Sequence, residues 1–120
     1  MIFKGKAVVV TGAGTGVGRG LAVGFARDGA QVVGISRTAA DLARTAELCP
    51  PGSFHAVVGS VASEADVERL FAETISRHGR VDILVNNAAL YPKRLFHESS
   101  HREWAEVIET NVLGMALCCR

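Results

Sequence analysis

Ala7-Val8-Val9-Val10-Thr11-Gly12-Ala13-Gly14-Thr15-Gly16-Val17-Gly18-Arg19 runs from a β-branched segment into glycines and then into a helical pattern. Three successive valines suit a strand covered on both faces. Leu21, Ala22, Phe25 and Ala26 then recur at helical spacing, and Gly29 closes that segment. The glycines therefore occupy a strand-to-helix turn, where the first helical N–H groups lack partners and carry the positive end of the helix dipole. Such a turn suits a phosphate. The alternative is a tight turn with close helix–strand packing and no ligand.

Outward from this stretch, Gln31-Val32-Val33-Gly34-Ile35 reads as a second strand with Ser36-Arg37 at its carboxyl end. Thr38-Ala39-Ala40-Asp41 has the spacing of a capping box, Leu42, Ala43 and Ala46 continue an apolar face, and Pro50-Pro51-Gly52 stops the helix. Residues 54–59 form a third strand, followed by Ser60-Val61-Ala62-Ser63. Ser63-x-x-Asp66 opens another helix with Val67, Leu70, Phe71 and Ile75 on one stripe and Gly79 as its stop. Residues 80–85 return to strand and run into Asn86-Asn87-Ala88-Ala89. Beyond a loop with Tyr91-Pro92-Lys93-Arg94, Ser100-x-x-Glu103 starts a helix over residues 101 to 119. Its stripe is Trp104, Val107, Ile108, Asn111, Val112, Met115 and Cys118. Strands alternating with helices predict an α/β chain with a parallel sheet and right-handed crossovers.

The chain has 120 residues, 48% hydrophobic and 21% charged, which suits one soluble globular domain. A chain of this length buries somewhat under about 70% of its unfolded surface. Thirteen basic against twelve acidic residues give a net charge of +1, and no basic cluster is interleaved with aromatics, so nucleic acid and anionic membrane are excluded as expected partners. The apolar run behind Met1-Ile2-Phe3-Lys4-Gly5-Lys6 ends at Val10, too short for a secretory leader or a membrane span. Three cysteines, Cys49, Cys118 and Cys119, form an odd set without metal-ligand spacing and suit a reducing, cytoplasmic compartment. His97 and His101 are four apart, but no third ligand accompanies them, and no metal is expected.

The glycine spacing is Gly12-x-x-x-Gly16-x-Gly18, because Val17 occupies the third glycine position of the more common G-x-G-x-x-G fingerprint. With Thr11 in front, it resembles the T-G-x-x-x-G-x-G motif of the short-chain dehydrogenase/reductase family, whose members bind NAD or NADP on a Rossmann sheet. The resemblance implies a doubly wound parallel sheet in the order 3-2-1-4. It places Gly12, Thr15, Gly16, Val17 and Gly18 against the cofactor. Asn86-Asn87-Ala88-Ala89 is similar to the family's N-N-A-G signature in three of four positions, with Asn87 bracing the central strands and the Ala88 region backing the cofactor ribose. On the residues alone, paired asparagines also suit a strand-ending turn. Ser60 stands where the family carries an Asp that holds the adenine amino group, so the Ser60-Val61 pair is a departure at an expected cofactor position.

Cofactor choice turns on the end of the second strand. An acidic residue there binds the adenosine ribose hydroxyls, whereas an Arg accommodates a 2′-phosphate. Ser36 occupies the acidic position and Arg37 follows it, which favours NADP over NAD, since guanidinium holds phosphate through paired charge-assisted bonds. The bland alternative is a solvated loop arginine. Arg37 also argues against a Rossmann-like methyltransferase, which wants an acid there.

Asn111-Val112-Leu113-Gly114 resembles the family's N-x-x-G segment, in which the Asn holds a water that relays protons to a catalytic lysine. A structural Asn bonded to backbone is the competing reading. The family's Ser and Tyr-x-x-x-Lys pair is not found in the 120 residues: Tyr91 is the single tyrosine, and Leu95 stands four beyond it. Residues 1–120 are thus expected to be the cofactor-binding half of an NADP-dependent dehydrogenase/reductase, truncated after four strands. The reaction implied is hydride transfer between NADPH and a small-molecule carbonyl or alcohol, in a full-length form expected to be a homo-oligomer. The alternative is a catalytically inactive dinucleotide-binding or dimerising module. By itself the chain is expected to bind cofactor without turnover, and to self-associate through the outer edge of its fourth strand and the stripe of its last helix.

Overall fold

The structure, a computed structural model, describes residues 2–88 together with Arg102 and Cys119. Its elements are β1 (Ala7–Thr11), α1 (Gly16–Arg27), β2 (Gln31–Ser36), α2 (Ala39–Leu48), β3 (Phe54–Val58), α3 (Glu64–His78) and β4 (Ile83–Val85). The strands pair in parallel in the order β3-β2-β1-β4, as the alternation and the family resemblance predict. Val9 lies opposite Val33 on one side and Leu84 on the other, so β1 is central.

Every residue of β1 is buried, which is why its sequence is continuously apolar rather than alternating. Val8 and Val10 join Ala22, Ala26 and Leu42 in a core formed with α1 and α2. Val9 points the other way, joining Val33, Ile35 and Val57 in a core with Val67 and Leu70 of α3. Each such valine contributes about 1.5 to 3 kcal/mol relative to exposure. The layers are thus helix, sheet, helix. All four strands present their carboxyl ends to the same edge.

Several local expectations are corrected. Ile75 is 50% exposed, and Thr74 takes the buried place on α3, its hydroxyl donating to the Leu70 carbonyl at 2.7 Å. In α2, Ala43 is exposed and Thr45 is buried instead. Thr38 does cap α2, but its side chain makes no capping hydrogen bond. β4 begins at Ile83 rather than Arg80, and just before it the Asp82 N–H donates to the Ala7 carbonyl at 2.9 Å while its side chain takes the return bond. Asp82 Oδ2 accepts from the Ala7 N–H at 2.8 Å and from Arg80 Nε at 2.9 Å. β3 ends at Val58, although the Gly59 N–H still donates to the Ser36 carbonyl at 2.9 Å.

No helix among the described residues is long and apolar enough to cross a membrane. The expectations placed on Ala89, the Tyr91 loop, His97, His101 and the stripe from Trp104 to Cys118 lie outside the described residues.

Candidate functional site

The turn between β1 and α1 is built by its glycines. Gly12 and Gly16 have φ of 66° and 56°, values that side-chain-bearing residues avoid. Gly18 is required for a different reason: a Cβ there would collide with the Gly12 carbonyl oxygen and lie 2.5 Å from Asn87 Nδ2. Its absence lets the first turn of α1 sit directly on the loop. Thr15 caps α1 without a side-chain hydrogen bond, and no acidic residue lies in the first turn. By contrast, α3 is capped by Ser63, which accepts from the Asp66 N–H at 3.2 Å, and carries Glu64 and Asp66 in its first turn. The positive end of α1 is therefore left uncompensated by its own side chains, which fits an anionic group at the loop. Val17, next to this end, is 71% exposed.

Asn87 and Ala88 are brought to the loop by Thr11. The buried Thr11 hydroxyl accepts from the N–H groups of Asn87 and Ala88, both at 2.9 Å, and donates to the Val85 carbonyl at 3.3 Å. Asn87 Nδ2 donates to the Gly12 carbonyl at 3.3 Å. The segment after β4 is thus tied to β1 and the glycine loop at three points, and the end of β4 at a fourth. Thr11 had entered the sequence reading only as the head of a motif.

On the other side of the edge, Ser60 is held by α3. Its N–H donates to Asp66 Oδ2 at 2.9 Å, and its hydroxyl accepts from the Ala62 N–H at 3.1 Å. A Cβ on Gly59 would lie 2.8 Å from the Asp66 carboxyl carbon, so glycine makes room for this contact. The Ser60 N–H, ahead of Arg69 and the Ser63 hydroxyl, holds the Asp66 carboxyl below the usual carboxylate range, against a smaller opposing effect of burial.

Between these walls runs a cleft of about 260 Å³. Of the residues singled out in the sequence, Gly12, Thr15, Ser36, Arg37, Val61 and Ala88 line it. Gly16, Val17, Gly18, Ser60 and Asn87 do not line it but shape or border its walls, as described above. Asn111 lies outside the described residues. Sequence reasoning did not find Thr38 and Asp41, which line the cleft from the start of α2, nor Gly14 and Gly59, which line it from the loops. The cue for Gly14 was present in the glycine-rich stretch. Asp41 was absorbed into the expected capping box. Among the described residues, Arg37 and Asp41 are the charged groups of the lining.

The sequence pattern of the short chain dehydrogenase family matches residues 6–120. The chain belongs to this family. It is 39% identical over 113 residues to an L-fucose dehydrogenase of Bos taurus, covering 93% of this chain and 41% of that protein. It is 37% identical to a glucose 1-dehydrogenase of Gluconobacter oxydans, covering 98% of this chain and 46% of that protein. Among solved structures, a short chain dehydrogenase from Bacillus anthracis superposes with a TM-score of 0.91 at 32% identity, over 96% of this chain and 48% of that one. A 3-ketoacyl-(acyl-carrier-protein) reductase from Brucella melitensis, complexed with NADH, gives 0.89 at 36% identity, over 98% and 48%. The chain therefore spans about half the length of the relatives it matches, and its four-stranded parallel sheet matches the Rossmann-like α/β fold of the solved ones.

Proposed function

We propose that the cleft holds the adenosine end of NADP and that, in a complete polypeptide, this chain supplies the cofactor half of a dehydrogenase/reductase acting on a carbonyl or alcohol. The observation that carries the reading is Arg37, which lines the cleft directly beyond Ser36 at the carboxyl end of β2. No carboxylate occupies the Ser36 position to repel a 2′-phosphate.

The fit to a dinucleotide rests on four features of the chain. The uncompensated start of α1 offers N–H groups and a positive dipole end to a pyrophosphate. Val61, 6% exposed, offers an apolar wall to a base, and Arg37 offers a cation to the 2′-phosphate. Thr11 and Asn87 keep the Ala88 backbone against the loop, giving the ribose side a fixed floor. When bound, the nicotinamide would supply or accept a hydride at the carbon of the substrate's carbonyl or alcohol. Under the same reading Asn111 orders a water in the proton path, the full-length protein is a homo-oligomer, and the protein works in the cytoplasm, where Cys49 remains a free core thiol.

Fluorescence titration tests the cofactor reading. NADPH is expected to bind more tightly than NADH by about ten- to a hundredfold, the value of one charge-assisted contact. Arg37→Glu is expected to reverse the preference. Equal affinity of the unmodified chain for both cofactors would overturn the reading.

A further inference from the structure

Asp41 stands in the cleft for reasons unrelated to capping. Its carbonyl accepts from Arg19 Nη2 at 3.1 Å, while Arg19 Nε donates to Thr45 Oγ1 at 3.0 Å. The fully buried Thr45 hydroxyl in turn donates to the Ala13 carbonyl at 2.8 Å, inside the glycine loop. Arg19 of α1 thus holds the first turn of α2, and Thr45 ties the following turn to the loop. Gly14 completes the approach, since a Cβ there would lie 3.0 Å from Asp41 Cβ and 2.8 Å from Ser36 Oγ. The result is an aspartate in the lining of the same cleft as Arg37, in a chain whose β2 ends in serine rather than an acid.

Resting on the reading of this cleft as the adenosine site, we propose that Asp41 is a second specificity-determining residue, one that opposes Arg37. Its carboxylate repels a 2′-phosphate and accepts from the free ribose hydroxyls of NADH. Both effects narrow the preference that Arg37 creates. The chain would thereby retain measurable use of either cofactor.

The test is the ratio of NADPH to NADH affinity for the unmodified chain, Asp41→Asn and Asp41→Ser, by fluorescence titration. Both variants remove a first-turn charge from α2, and any loss of helix stability weakens the two cofactors alike. The ratio is expected to rise about five- to tenfold in favour of NADPH, the size of effect expected for a partly solvated charge. A ratio within about twofold of the unmodified chain in both variants, with both cofactors still bound, would overturn the role of Asp41 and leave Arg37 standing. Equal affinity of the unmodified chain for both cofactors would instead strike the Arg37 reading and, with no preference left to narrow, the present one with it. Failure of both dinucleotides to bind would overturn both readings.

Discussion

Thr11 holds the carboxyl edge of the sheet together, because one hydroxyl satisfies two backbone donors from the segment after β4. Thr11→Val keeps the shape and removes the acceptor. The N–H groups of Asn87 and Ala88 then lose their partner in a partly buried place, at about 1 to 3 kcal/mol for each fully unsatisfied group. A fall of about 2 to 4 kcal/mol in unfolding free energy by urea denaturation is therefore expected, with Thr11→Ser recovering most of it. Equal stability of the valine variant would contradict this account of the edge. Gly18 shows the complementary constraint, in which what matters is an atom that is absent: a side chain there meets the Gly12 carbonyl before it meets anything that can move aside.

At the scale of elements, α1 and α3 differ in their first turns: α1 has neither a side-chain cap bond nor an acidic residue there. α3 is capped and acidic at its start, and its Asp66 reaches back to fix the loop after β3. Asp66, and Asp82 through the Ala7 N–H first of all, are held below the usual carboxylate range, so each stabilises the native chain above the unfolded carboxylate value. That contribution disappears as pH falls from about 4 through the native values. His78 is held below its usual range by desolvation first and then by Arg77 and His55, so acidification from about 6.5 also costs stability until it too is protonated. The urea midpoint is expected to decline in two stages between pH 7 and 3, the lower one reduced in Asp66→Asn and Asp82→Asn. A flat profile to pH 3 would contradict these contacts. The sequence made the elements legible wherever periodicity was apolar: β1, β2 and α1 start and stop close to where valines, alanines and glycines place them. It misled where a threonine did the work of a valine. Thr45 and Thr74 are both fully buried because each hydroxyl donates to a carbonyl one turn back or to the adjoining loop, a bond that a count of apolar letters does not see.

Across the whole molecule, the parallel sheet was legible because strand and helix alternate, whereas the order β3-β2-β1-β4 was legible only through the family resemblance of the glycine and asparagine motifs. That topology alone gathers the glycine loop, Arg37, the segment after β3 and Asn87 at one edge. The cleft between them was only partly legible. Arg37 announced itself by position, whereas Asp41 reached the same space through a tertiary lock of Arg19 and Thr45, with no local signature. On the proposed reading this edge takes the dinucleotide. Two-dimensional amide NMR of the chain titrated with NADP tests it most directly. The account predicts that shifts concentrate in residues 12–18, 36–41, 59–61 and 87–88, with the far end of α3 around Thr74 and His78 unmoved. Shifts centred away from those segments, or none at saturating cofactor, would contradict it.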